Sequence, residues 1–268
     1  MNFTDKLLAA SRRNKSLLCV GLDPDPELMP KVGLLEFNKA IIDTTADLVC
    51  AYKPNLAFYE ALGIDGLKAL QKTIEHIPDH VPIIGDGKRG DIGNTAKAYA
   101  KALFVAFGFD AATVSPYLGF DSIEPLIDYK DKGVFILCRT SNPGAVDFQS
   151  LVNSQGMPLY EAVARKARDW NVHGNIGLVV GATYTEELKA IRQLCPEMPI
   201  LIPGIGAQGG DLASTVKYGV DAQGGNAIIA VSRQILYASQ GKDFARAARH
   251  NAQELRDNIN KLISQIGC

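Results

Sequence analysis

The chain has 268 residues, 47% hydrophobic and 21% charged, the proportions of a globular protein able to bury a substantial core rather than of a disordered or fibrous chain. Its 28 basic and 29 acidic residues leave a net charge of -1, so no overall field draws it to nucleic acid or an anionic membrane, and any anion it binds must be held by local groups. The five scattered cysteines form no C-x-x-C pair and have no histidine at metal-ligand spacing, which argues against a zinc site and fits reduced packing thiols in a cytoplasmic protein.

The first residues, MNFTDKLLAASRRNKSLL, read as an amphipathic helix; Asp5 interrupts them, and they lack the about 7 to 15 apolar residues of a secretory signal. No later run approaches the roughly 18 apolar residues of a membrane span. Short runs rich in Val, Ile and Leu then recur at 17–22, 51–55, 81–85, 111–115, 133–138, 176–181, 199–204 and 226–231, and most are separated by segments of helical length with i, i+3, i+4 periodicity. Strand alternating with helix argues a parallel sheet in an α/β fold. Eight repeats in about 250 residues match a (β/α)8 TIM barrel, whereas an open doubly wound sheet more often stops at about five or six strands. No Pro/Gly/Ser-rich linker divides the chain, so residues 1–268 are expected to form a single barrel domain. Its N-terminal helix caps the bottom, and the pattern from Asp243 to Ile266 supplies a C-terminal helical extension.

A barrel carries its chemistry at the C-terminal ends of its strands. Those positions are polar here: Asp23 after the first run, Lys53 and Asn55 on the second, Asp86 and Lys88 after the third, Ser115 after the fourth, and Arg139 to Ser141 after the fifth. In an extended strand, residues two apart share a face, so Asp86 and Lys88 project together, as do Lys53 and Asn55. Asp23, Lys53, Asp86 and Lys88 are thus expected to form an alternating ring of charge at the mouth. Opposite charges within about 4–6 Å keep each other ionised despite burial. A solvated surface network is the plainer reading of such a run, but three strands supplying matched groups favour a site. Asp91 lies three residues beyond Lys88, at the start of the next helix.

The segment PGIGAQGGD, 203–211, follows the seventh run and VSRQI, 231–235, the eighth. Glycine-rich turns and helix N-termini at these two strands suit a phosphate, to which Arg233 adds a guanidinium and Gln208 an amide. Gly204, Gly206 and Gly209 also fit the dinucleotide pattern G-x-G-x-x-G, but that fingerprint belongs after a first strand with an acidic residue about 20 positions on, and here it does not. The segment 139–157 is long for a connection between strand and helix and reads as a lid or binding loop, with Ser141 placed to touch a ligand. The four histidines have no evident partners.

Taken together these motifs resemble the orotidine 5'-monophosphate decarboxylase family, in particular its longer bacterial branch. Asp86, Lys88, Asp91 and Ile92 match the family's D-x-K-x-x-D-I, with Asn94 and Thr95 continuing it; Asp23 lies in GLDPDP, Lys53 in YKPN, Ser141 in SNPGA, Gln208 in GIGAQGGD and Arg233 in VSRQI. The match runs from about residue 20 to residue 237, with every motif in family order. The resemblance implies a carboxy-lyase that converts orotidine 5'-monophosphate to UMP and CO2 in pyrimidine synthesis, a homodimer of barrels, and no metal or organic cofactor. It implies catalytic roles for Lys88, Asp86, Asp91 and Lys53 and substrate-binding roles for Asp23, Ile92, Thr95, Ser141, Gln208 and Arg233. Asp91, Ile92 and Thr95 would reach into the neighbouring subunit's site. The alternative is a magnesium-dependent sugar-phosphate decarboxylase of the same superfamily, such as 3-keto-L-gulonate 6-phosphate decarboxylase, but those enzymes carry a metal-binding glutamate on the second strand, where this chain has Lys53. Two departures stand out: Ser232 replaces the glycine that precedes the arginine in other members, where a side chain is expected to crowd the backbone amide, and the segment after the fifth run is longer than in compact members.

Overall fold

The computed structural model describes residues 1–206 and 209–267. Eight strands, β1 (Leu18–Leu22), β2 (Ala51–Pro54), β3 (Ile84–Arg89), β4 (Ala111–Val114), β5 (Gly133–Arg139), β6 (Ile176–Val180), β7 (Ile200–Pro203) and β8 (Ala227–Val231), alternate with helices. They pair in the order β2-β1-β8-β7-β6-β5-β4-β3, all parallel. Parallel bridges Tyr52–Ile83 and Asn55–Asp86 join the two ends, giving a nearly closed barrel. Among the described residues, no helix is long and apolar enough to cross a membrane.

Alternation along the strands divides the core into two layers. Cys19, Ala51, Ile84, Ala111, Phe135, Val179, Leu201 and Ile228 fill the barrel interior. Residues one step off, such as Val20, Tyr52, Ala112 and Ile136, pack outward beneath the helices. The helix Phe3–Asn14 closes the bottom: Phe3 and Leu7 join the interior layer, and the Phe3 ring meets Phe135 edge-on at 5.6 Å. A glycine at the start of β5 permits this, because a Cβ on Gly133 would lie 2.4 Å from the Phe3 ring. The long terminal helix Phe244–Ile266 packs by Phe244 onto Phe37, centroids 5.4 Å apart.

One detail differs from the sequence expectation. The third strand begins at Ile84, not Val81, and runs through the charged residues to Arg89 instead of ending before them. Its pairing with β4 resumes at Arg89–Val114 after an irregularity that starts at Gly85, and the Ser115 amide donates to the Arg89 carbonyl, so the ladder carries the polar stretch. The long connection after β5 holds a short 3-10 turn, Pro143–Asp147, and an antiparallel bridge between Val152 and Pro158.

Candidate functional site

The inward parity that places Ala51, Ile84 and Ala111 in the barrel centre puts Lys53, Asp86 and Thr113 one layer higher, facing the mouth. Asp86 is the hub. Its Oδ2 accepts from Lys53 Nζ at 2.8 Å, while its Oδ1 accepts from Lys88 Nζ at 2.6 Å and from Thr113 Oγ1 at 2.8 Å. Lys88 reaches this carboxylate from a left-handed backbone, φ 47°, an uncommon conformation for a residue with a Cβ. Thr113 Oγ1 accepts from the Lys88 amide at 3.0 Å, so one hydroxyl fixes both the carboxylate and the strained lysine. The convergence of Asp86 and Lys88 therefore comes from a turned backbone, not from the two-residue repeat of an extended strand.

Burial by itself would push the Asp86 carboxyl up, but the two ammonium groups overcome it and hold the acid well below the ordinary carboxylate range. Burial likewise works against the charge on Lys53, and Asp86 and Asp23 together raise its pKa above the ordinary lysine value. Lys53 and Asp86 side chains are 6% and 9% exposed, whereas Lys88 is 47% exposed. Lys88 is thus the more accessible of the two ammonium groups at the mouth. Beneath the trio, burial pushes the Cys19 thiol up to about 12, so it stays protonated.

A cavity of about 530 Å³ opens above these groups. Of the residues singled out from sequence, Asp23, Lys53, Asn55, Asp86, Lys88, Ser141, Gly204 and Arg233 line it. Asp91, Ile92 and Thr95 do not. Asp91 Oδ1 accepts from the Ile92 amide, Ile92 is 55% exposed and Thr95 is exposed at the start of the helix Gly93–Lys101. Gln208 lies outside the described residues.

Other lining residues escaped the sequence reading. Thr113 carries a legible signal, since it is two residues from inward-facing Ala111. Tyr237 does not, because it reaches the mouth from beyond the turn Arg233–Leu236. On the fifth strand's rim, Gln149 folds back onto Thr140: its Oε1 accepts from the Thr140 amide and its Nε2 donates to Thr140 Oγ1, both at 2.8 Å. This clip holds the base of the long connection, where Thr140, Ser141 and Asn142 face the cavity.

At the opposite rim, Gly204 and Gly206 adopt φ of 106° and 74°, available to glycine without strain, and Gly204 lines the cavity's side with Ser232 and Arg233. The helix-dipole part of the phosphate expectation is weaker than supposed. The helix Leu212–Gly219 has its own anion, Asp211, accepting from the Ser214 amide, and Arg233–Leu236 is a single turn. Among the described residues at this rim, Arg233 is the exposed cation available to an anionic ligand. The Ser232 hydroxyl turns toward β1: a Cβ on Gly21 would lie 2.0 Å from its Oγ, so the bare glycine makes room for it. Among the described residues, no group of three or more His, Cys, Asp or Glu is arranged to hold a metal ion.

Comparison with known proteins places these features in one family. The model of the Orotidine 5'-phosphate decarboxylase / HUMPS family matches residues 16–248. A protein of Dehalococcoides mccartyi named orotidine 5'-phosphate decarboxylase is 58% identical over 265 residues, covering 97% of this chain and 98% of its own. One of the same name from Roseiflexus castenholzii is 52% identical over 273 residues, covering 99% and 100%. Among solved structures, Leishmania donovani OMP decarboxylase superposes with a TM-score of 0.87 at 40% identity, covering 98% of this chain and 99% of that one. The UMP synthase of the same organism superposes at 0.88 and 43% identity, and there the match spans 97% of this chain but 57% of the other.

Proposed function

Because the chain belongs to the Orotidine 5'-phosphate decarboxylase / HUMPS family, we propose that its charged trio decarboxylates orotidine 5'-monophosphate to UMP and CO2, the last step of de novo pyrimidine nucleotide synthesis. The observation that carries the mechanism is a buried carboxylate, Asp86, gripped by two ammonium groups at 2.8 and 2.6 Å, both on the cavity and one of them, Lys88, half exposed to it. When the bond from C6 to the carboxylate breaks, its electron pair stays on C6 in an orbital that the pyrimidine ring does not delocalise. Fixed positive charge beside C6 lowers the energy of that carbanion without reorganising, since the lysines are already held by Asp86. Lys88 then passes an N–H proton to C6, giving UMP, and the amine regains its proton from water. Asp86 stands against the departing carboxylate, which disfavours the bound substrate more than the transition state.

Arg233 and Gln208 hold the phosphate, far from C6, and Ser141 meets the pyrimidine. Asp23, whose buried Oδ1 has no hydrogen-bond partner among the described residues, accepts from a ligand hydroxyl. Phosphate binding energy spent at this distance supports the arrangement at the reacting carbon. Proton and charge stabilisation both come from lysines, so the mechanism calls on no metal and no organic cofactor. Lys53, at 2.8 Å from Asp86, would repel a magnesium ion where a metal-using relative needs a carboxylate. The chain acts as one barrel domain in the cytoplasm and as a homodimer. Asp91, Ile92 and Thr95, outside their own cavity with Ile92 exposed, serve the partner subunit's site.

The test follows loss of orotidine 5'-monophosphate absorbance with chelator-treated protein. Wild type is expected to turn over and Lys88→Ala to lose about 10²–10³-fold or more. Activity that needs added Mg²⁺, survives in Lys88→Ala, or is absent toward this nucleotide overturns the assignment.

A further inference from the structure

The carboxylate of Asp23 follows the end of β1, and nothing on its own strand holds it toward the cavity. Two tyrosines from distant parts of the chain do so through the backbone. Tyr59, fully buried, donates to the Leu22 carbonyl at 3.0 Å. Tyr237 donates to the Asp23 carbonyl and accepts from the Asp25 amide, both at 2.7 Å. Tyr237 is also the residue that ends the turn beginning at Arg233, and its amide donates to the Arg233 carbonyl at 3.1 Å. One side chain therefore ties the rim of the first strand to the rim of the last. Its ring is fixed in turn, stacked on Phe37 with centroids 6.3 Å apart and planes 11° from parallel.

We propose that Tyr237 is a positioning residue: its hydroxyl sets the Asp23 carboxylate against the ligand and registers it with the Arg233 turn, so that the two ends of the nucleotide are gripped at a fixed separation. The inference rests on reading Asp23 and Arg233 as ligand-binding groups. The hydroxyl suits the task, because burial pushes its pKa up to about 12 and it donates at every physiological pH. A free carboxylate on an unheld turn would have to be ordered on binding, and ordering costs affinity.

Tyr237→Phe removes the hydroxyl and keeps the ring on Phe37. The experiment measures UMP affinity by calorimetry for wild type, Tyr237→Phe, Asp23→Ala and the double variant, together with kcat and KM. Tyr237→Phe is expected to weaken UMP about tenfold, equivalent to about 1.4 kcal/mol, and to raise KM similarly, with kcat held within about threefold because the lysine trio is untouched. In the Asp23→Ala background the same change is expected to cost less than about twofold, since the group it positions is gone. A Tyr237→Phe protein that binds UMP as wild type does overturns the inference. So does a tenfold loss that persists without Asp23, which is what a hydroxyl that merely holds the fold would give. Wild-type protein that ignores UMP overturns the functional reading as well, whereas the first two outcomes leave it standing.

Discussion

Replacing Asp86 by Asn keeps an acceptor for Thr113 but removes the negative charge between Lys53 and Lys88. Lys88 can turn to water, being 47% exposed; Lys53, at 6%, cannot. Taking one partner from a buried ion pair costs about 3–5 kcal/mol, because the remaining charge is left without compensation. In a chain of this size that lowers Tm by roughly 6–20 °C, taking about 2–4 °C per kcal/mol. Asp23, which also acts on Lys53, moves the expectation toward the lower end of the range. Adding Lys53→Met removes the stranded cation, and apolar replacement of a buried pair is often neutral, so the double variant is expected to recover most of the lost stability while both variants remain inactive. Urea unfolding at pH 7 and fixed protein concentration reads this directly. If Asp86→Asn lies within about 1 kcal/mol of wild type, the cost expected of a solvated surface bridge, or if the double variant is no more stable than the single, the picture of a buried, mutually dependent pair is wrong.

The pair also fixes a pH dependence. The folded pKa of Asp86 is depressed, so its stabilisation is present above the unfolded carboxylate value near about 4 and is lost as pH falls below it; that of Lys53 is raised, so its stabilisation holds below about 10 and is lost as pH rises beyond. The stability gap between wild type and Asp86→Asn should accordingly shrink below about pH 4 in urea titrations, and a gap constant down to pH 3 contradicts the assignment. Thr113→Val strips the hydroxyl that holds Asp86 and the Lys88 amide, and is expected to lower kcat about tenfold with KM little changed and Thr113→Ser restoring it; turnover equal to wild type would show that the left-handed lysine needs no such support. Mixing inactive Lys88→Ala with inactive Asp91→Ala should restore about a quarter of wild-type activity, because half of randomly reassorted dimers are mixed and each has one site with both residues intact; no recovery places Asp91 in its own subunit's site or denies the dimer.

The eight apolar runs were legible because parallel strands buried on both sides read as continuous hydrophobic stretches, and the barrel follows from their number. Period two then predicts that Lys53 and Asp86 meet, and they do, each one layer above a small or branched interior residue, Ala51 or Ile84. The third strand's start was misplaced because Val81-Pro82-Ile83 is the more apolar stretch, yet the ladder is made by backbone groups, which glycines and charged residues supply equally. Lys88 illustrates the limit. Its place beside Asp86 was expected from an extended backbone and arises from a left-handed one, which no spacing rule encodes. Tyr237 and Gln149 were invisible because they act on backbone atoms of other segments, through contacts spanning 214 and nine positions respectively.

If the proposed mechanism holds, the strain at Lys88 and the desolvation of Lys53 are linked to catalysis by the same carboxylate. A left-handed lysine stores about 1–3 kcal/mol, and a buried ammonium pays a desolvation penalty; both persist because Asp86 and Thr113 over-determine their positions. In solution, a carbanion forming at C6 would have to wait for water and counterions to reorient around it. Under the proposed mechanism that reorientation is already made in the folded barrel mouth, where Asp86 holds both ammonium groups in place. The consequence is directional: substitutions that relax the trio by neutralising it should stabilise or spare the fold and abolish turnover, whereas those that break only one partner should damage both.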